Sequence, residues 1–231
     1  MNLAIIPARG GSKRIPRKNI KEFAGVPVIK RAINNANNSN LFDSIYVSSD
    51  DEEILEVAFE SGAKILRREH GLADDYSTTI DVISDEISKL MKTDLEDSDF
   101  VSCIYPVTPL LNYTRVAEAI SRLSVQQKGY VFSAKEFDAP VQRAILLNED
   151  NQIKFISPTN QMTRTQDLER TFHDAGQFYV AKASTWVEKI SIFSTQSSFI
   201  ELSKYETLDI DDLQDWKYAE ELFKIRDSDC A

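Results

Sequence analysis

Short apolar runs alternate with longer stretches in which apolar positions recur every three or four residues through the first half of the chain. Residues 3–6, 44–47, 64–66, 100–105 and 129–133 read as strands, and residues 28–36, 52–60, 79–91 and 113–123 as amphipathic helices. This βαβα order predicts an α/β fold, a three-layer αβα arrangement on a mainly parallel, Rossmann-like nucleotide-binding sheet. Ligands of such sheets sit at the carboxyl ends of the strands.

The regularity lapses after Ser133. No long helical pattern runs through residues 135–176, and 143–147 with 152–156 read as a hairpin around Asn148-Glu149-Asp150-Asn151. The expectation is a single domain over 1–231 from which 135–176 protrudes as a small β-rich arm. Its apolar residues, among them Phe137, Val141, Ile145, Leu146, Leu147, Phe155 and Phe172, are too many for a freely solvated arm and point to a dimer interface. Residues 176–181 read as a further strand and 212–226 as a terminal helix.

The loop after the first strand carries Arg9, Lys13, Arg14, Arg17, Lys18 and Lys21, with no acidic residue before Glu22. Without those six, 21 of the 27 Lys and Arg remain against 37 Asp and Glu, so a basic loop sits in an acidic protein. Within Ala8-Arg9-Gly10-Gly11-Ser12-Lys13 the glycines let backbone N–H groups approach phosphate oxygens, and the cations add charge-assisted hydrogen bonds. A nucleoside triphosphate fits such a cradle; a solvated basic loop is the alternative. The spacing matches neither the P-loop nor the Gly-x-Gly-x-x-Gly pattern.

A net charge of -10 argues against nucleic acid and acidic membranes as partners. Cys103 and Cys230 offer neither a disulfide framework nor a zinc site, and two histidines add little to one. The first apolar stretch is too short for a signal peptide, so a soluble, cytoplasmic protein is expected. In Leu208-Asp209-Ile210-Asp211-Asp212, an extended backbone would turn Asp209 and Asp211 to one face, where a carboxylate pair suits Mg²⁺ beside substrate phosphates. Asp211 or Asp212 could equally cap the next helix. Ser48-Ser49-Asp50-Asp51 reads as a helix cap. Arg67-Arg68 with Leu72-Ala73-Asp74-Asp75 and Thr78-Thr79 offer candidates for a base or ribose, Arg68 and Thr79 among them, although a loop and helix start explains them nearly as well; Arg164 suits a carboxylate through bidentate pairing.

These motifs together resemble the acylneuraminate cytidylyltransferases, or CMP-sialic acid synthetases, from Ile5 to about Ala219. The resemblance rests on Ile-Pro-Ala-Arg-Gly-Gly-Ser-Lys at 6–13, Ile-Pro-Arg-Lys-Asn at 15–19, Leu-Ala-Asp-Asp at 72–75 and Asp-Ile-Asp at 209–211. It implies that the first motif holds the triphosphate of CTP, with Arg9, Lys18 and Asn19 at nucleotide positions and Asp209 and Asp211 holding Mg²⁺. Thr-Arg-Thr-Gln-Asp-Leu at 163–168, containing Gln166, and His-Asp-Ala-Gly at 173–176, containing His173, are similar to the branch that activates pseudaminic acid, a bacterial nonulosonate placed on flagella and surface glycans. Tyr105 stands where sialate enzymes usually carry glutamine.

The resemblance implies attack by the anomeric hydroxyl of a nine-carbon α-keto acid on the α-phosphorus of CTP, with release of pyrophosphate. Arg9, Lys13 and Lys18 would offset triphosphate charge, and Arg143 and Arg164 would take the sugar carboxylate. The arm would form a homodimer and complete the neighbour's site. Rival expectations are a cytidylyltransferase for sialic, legionaminic or another keto-acid sugar, a metal-dependent glycosyltransferase, and a non-catalytic nucleotide-binding regulator.

Overall fold

β1 (Asn2–Pro7) buries Leu3 to Ile6, but its side chains leave in two directions: Ala4 and Ile6 enter one hydrophobic cluster, Leu3 and Ile5 another. A strand apolar on both faces belongs inside a sheet that is covered on both sides. The computed structural model describes residues 1–73, 76–92, 95–126 and 128–229. Asp74 and Asp75 of the 72–75 motif, and Cys230, lie outside the described residues.

After β1 come β2 (Glu22–Phe23), β3 (Val26–Pro27), α1 (Val28–Asn38), β4 (Ser44–Ser49), α2 (Glu52–Glu60), β5 (Lys64–Arg67), α3 (Thr79–Leu90), β6 (Phe100–Ile104) and α4 (Tyr113–Gln126). The second half adds β7 (Val131–Glu136), β8 (Ile145–Leu147), β9 (Ile153–Phe155), β10 (Phe172–Lys182), α5 (Ala183–Val187), β11 (Ser198–Leu202) and α6 (Leu213–Asp229). Among the described residues, seven strands form one sheet in the order β11-β7-β10-β6-β1-β4-β5. β1 pairs in parallel with β4 and β6, β4 with β5, and β7 with β11, whereas β10 runs antiparallel to β6 and β7. The chain builds outward from β1 through β4 to β5, then crosses back to β6 on the other side. That reversal opens a crevice at the carboxyl end of β1.

Three apolar clusters hold the layers. Ile29 and Ile33 of α1, Ile54 of α2 and Leu123 of α4 cover one face of the sheet. Ile83 and Ile87 of α3 and Trp186 of α5 cover the other, where the Trp186 indole donates to Val101 O at 3.2 Å. The third cluster, off the sheet, joins Ile15, Phe23, Leu110 and Ile210 to Trp216 and Phe223 of α6. Phe23 meets Trp216 and Phe223 edge-on, each with ring centroids 5.6 Å apart.

The structure departs from the sequence pattern mainly in the second half. β7 starts at Val131 rather than 129, because Gly129 takes a left-handed backbone (φ 67°) in the turn before it. β10 starts at Phe172 rather than 176, since its first residues pair with the end of β7, with a register break between Asp174 and Tyr179. Neither β11, the β2–β3 pair nor α5 stands out in the sequence; β2 and β3 are two residues each, and α5 spans little more than one turn. β8 and β9 pair with each other in a separate two-stranded sheet, Ile145 opposite Phe155.

Gly129 couples these features. A Cβ there would stand 2.4 Å from Gln196 O, in the backbone just before β11. Gly129→Ala, which meets both a backbone clash and a disfavoured φ, is expected to cost roughly 2 kcal/mol or more. Urea unfolding should show a lower midpoint with an unchanged slope; an unaltered midpoint would mean that the β7–β11 junction adapts freely.

Candidate active site

The loop leaving β1 is tied down before it reaches any ligand. The Ala8 N–H donates to Ser48 O at 2.8 Å, and the Gly10 N–H to Asp50 Oδ1 at 3.0 Å. A Cβ on Gly10 would lie 2.7 Å from Asp51 Oδ2, so the close approach of α2 calls for glycine here. Asp51 caps α2 by accepting from the N–H groups of Glu53 and Ile54, and Arg17 donates to Asp51 and Glu53. The Asp51 carboxyl is held below its ordinary pKa by the Arg17 hydrogen bond. Asn19, 6% exposed, folds the loop back by donating from Nδ2 to Arg9 O at 2.8 Å. Lys21 lies over the Trp216 ring, 5.7 Å from its centroid. Arg17 and Lys21 are therefore structural members of the basic run.

The acidic run is sorted in the same way. Ile210 belongs to the buried third cluster and also borders the cleft, together with Leu208, Asp209 and Asp211. Asp212 caps α6: its Oδ1 accepts from Gln214 N–H at 2.7 Å and Asp215 N–H at 3.0 Å. Asp215 Oδ2 accepts in return from the N–H groups of Asp211 and Asp212, at 2.9 and 3.1 Å. This reciprocal box assigns helix capping to Asp212 and Asp215, so the competing role considered for Asp211 falls elsewhere. Arg14 pairs with Asp211, and the Lys18 ammonium donates to Ile210 O. Burial lowers the Lys18 pKa from its ordinary value, against the opposing pull of Asp211 and Asp209. A cation in that state gains most from a further anion.

One cavity of about 400 Å³ gathers Arg9, Ser12, Lys13, Lys18 and Asn19 from the loop, Arg68, Thr79 and Tyr105 from the sheet's carboxyl edge, and Asp209 and Asp211. Thr78, not Thr79, caps α3 through a box with Asp81, leaving the Thr79 hydroxyl 2.6 Å from the Tyr105 hydroxyl. Burial raises the Tyr105 pKa. Arg14, Ser77, Gly176 and Gln177 also line this cavity, without having stood out as site residues in the sequence. Gly176 (φ 59°) was legible within the 173–176 motif, but its place beside Tyr105 depends on the β10 pairing.

Seven expected residues do not line the cleft. Ala8 is buried behind it, and Gly10 and Gly11 are absent from its lining. Arg143 donates to Thr163 O within the arm, and Arg164 is an exposed residue before a short turn there. Gln166 instead lines a separate cavity of about 540 Å³ at the arm's base. The seventh, His173, is exposed, packs on Phe137 with centroids 4.8 Å apart, and has Nδ1 2.8 Å from Asp174 O. The arm residues share one circumstance: residues 137–171 form the connection beyond the paired ends of β7 and β10, and none of them is in the cleft lining.

An α/β sheet with a cationic loop and a carboxylate pair at its topological switch point defines a nucleotide-handling protein. The chain matches the cytidylyltransferase family model over residues 3–229 and belongs to that family, making it a nucleotidyltransferase. It is 43% identical over 225 residues, 97% of each chain, to a pseudaminic acid cytidylyltransferase of Campylobacter jejuni. N-acylneuraminate cytidylyltransferase A of Danio rerio is 33% identical over 94% of this chain and 50% of that one. A solved CMP:2-keto-3-deoxy-manno-octonic acid synthetase shares the fold, with a TM-score of 0.69 at 14% identity, covering 97% of this chain and 99% of that one. Membership sets aside the glycosyltransferase alternative.

The division within the acidic run is measurable. Asp212→Ala should lower stability by about 1 kcal/mol through the lost cap, whereas Asp209→Ala should leave thermal unfolding nearly unchanged. Equal destabilisation by the two substitutions would contradict the assignment.

Proposed function

We propose that this chain transfers CMP from CTP to the anomeric hydroxyl of pseudaminic acid. The observation that carries the proposal is one cleft holding Arg9, Lys13 and Lys18 together with Asp209 and Asp211, in a chain so similar to a pseudaminate enzyme. The anomeric hydroxyl gives its proton to a cleft carboxylate, Asp209 or Asp211, as its oxygen attacks the α-phosphorus; the bond from that phosphorus to the bridging oxygen breaks, and pyrophosphate leaves. Such transfer depends on positioning and charge neutralisation more than on covalent help. Arg9, Lys13 and Lys18 bind the triphosphate and offset its growing charge, while Tyr105 and Thr79 line the cleft as hydrogen-bonding hydroxyls.

Asp209 and Asp211 form the donor set for Mg²⁺, which takes one or two carboxylates together with substrate phosphates. Asp211 pairs with the Arg14 guanidinium, a cation that Mg²⁺ would replace. Mg²⁺ supplies neutralising charge to the phosphates when bound.

The proposal includes a homodimer built through the arm. Leu147 is 68% exposed and Ile153 59%, on a hairpin that pairs with no other strand among the described residues, and Met162, further along the arm, is 93% exposed. Two short strands are marginal alone, and a second copy would cover them. Arg143, Arg164, Gln166 and His173 would then serve the neighbour's cleft. No helix among the described residues is long and apolar enough to cross a membrane; a cytoplasmic setting, where CTP is made, completes the proposal.

Incubation with CTP, Mg²⁺ and equal pseudaminate and N-acetylneuraminate should yield chiefly the pseudaminate product. A site built on buried polar partners can reject the wrong configuration by about 10⁴-fold, so a predominance of CMP-N-acetylneuraminate would refute the sugar assignment. Asp211→Ala should cut turnover roughly a hundredfold at saturating Mg²⁺. Sedimentation should show a dimer at micromolar concentration, converted towards monomer by Leu147→Glu; a fully active wild-type monomer would remove the arm's proposed purpose.

A further inference from the structure

Glu86 is a buried charge for which the transfer chemistry has no use. It lies on α3 with 0% exposure. Its Oε1 accepts the Ser48 hydroxyl at 2.7 Å, and the Ser48 oxygen accepts Arg68 Nε–H at 3.1 Å. Arg68 Nη2 donates to Ser48 O at 2.9 Å. Ser48, also 0% exposed, sits near the end of β4, in register with Pro7 of β1 and Leu66 of β5. Arg68 is 8% exposed and lines the nucleotide cleft.

The direction of this chain is set by chemistry. A guanidinium can only donate and a hydroxyl has one proton, so a Ser48 hydroxyl that receives from Arg68 must give its proton elsewhere. Glu86 takes it. Burial raises the Glu86 pKa, opposed by Ser48 and by Lys89, whose ammonium lies 3.4 Å from Oε2. An apolar residue of similar volume would pack α3 on the sheet without desolvating a carboxylate. What the carboxylate adds is orientation: two nitrogens of the guanidinium are turned to a rigid strand serine, which sets the plane that Arg68 presents to the cleft.

We propose that Glu86 is a positioning residue, which acts through Ser48 to hold the Arg68 guanidinium in the pose that receives the base or ribose of CTP. The proposal rests on CTP occupying this cleft. Removing Glu86 would leave the Ser48 hydroxyl without its acceptor, so that Arg68 Nε–H faces a hydroxyl free to turn and only the Nη2 bond to Ser48 O stays fixed, weakening CTP binding more than the chemical step.

The test is a double-mutant cycle on the full chain, with the CTP dissociation constant read by calorimetry and KM and kcat read separately. Glu86→Leu should weaken CTP binding about tenfold, chiefly in KM. Glu86→Gln, which keeps an oxygen for Ser48 to donate to, should restore most of the loss. In an Arg68→Ala background Glu86→Leu should add less than about twofold. Ser48→Ala, a small change, reads the same link if Glu86→Leu folds poorly, and should show the same dependence on Arg68. Equal losses from Glu86→Leu or Ser48→Ala with and without Arg68 would overturn the positioning role while leaving the nucleotide site in place. Unchanged CTP affinity in Arg68→Ala would overturn both the relay and the placement of the nucleotide at Arg68.

Discussion

Ile15 and Ile210 bury together against Phe23, Trp216 and Phe223, and the chemistry of the cleft depends on that contact. The loop and the acidic run are almost two hundred positions apart, joined by the Lys18 bond to Ile210 O. Charge alone would bring them together, but exposed charges in salt solution attract weakly and without direction. A buried isoleucine, worth roughly 1.5–3 kcal/mol of transfer free energy, adds both strength and orientation. With Ile210 held there, its neighbours Asp209 and Asp211 line the cleft beside it.

The polar groups around the cleft divide their labour. Asp50 and Asp51 anchor Gly10 and Arg17, while Asp212 and Asp215 satisfy the first N–H groups of α6. These contacts use charge to fix backbone. Lys18, by contrast, is half-buried beside carboxylates that only partly offset its desolvation, which suits a group reserved for phosphate. The Glu86–Ser48–Arg68 line extends the same economy beneath the cleft, with a buried carboxylate orienting a cation through a strand hydroxyl.

The arm follows from sheet architecture. β10 runs antiparallel between β6 and β7, so β7 and β10 form a ribbon that carries residues 137–171 off the sheet. Its hairpin exposes Ile145, Leu146 and Leu147. Four of the polar residues expected around the sugar therefore lie outside the cleft of a single chain, as a site shared between two copies would require.

Apart from the two-residue strands β2 and β3, the first half of the fold was legible because its strands are apolar runs and its helices long enough to show their period: α2 matches the sequence pattern at both ends, and the Arg9 to Asn19 loop follows an unmistakable apolar run. The spacing of Asp209 and Asp211 stood out in the sequence, and both border the cleft, with Leu208 and Ile210 beside them. Neither α5, little more than one turn long, nor β11 stood out, and the turn at Gly129 shifted β7 by a conformation that glycine permits without advertising. Which charges face a ligand was decided only in three dimensions. Arg17 and Lys18 are adjacent and alike in sequence, but α2 takes the first and the cleft takes the second. Side-chain chemistry is local, whereas the partner that neutralises it arrives from a distant segment, and only the folded chain chooses that partner.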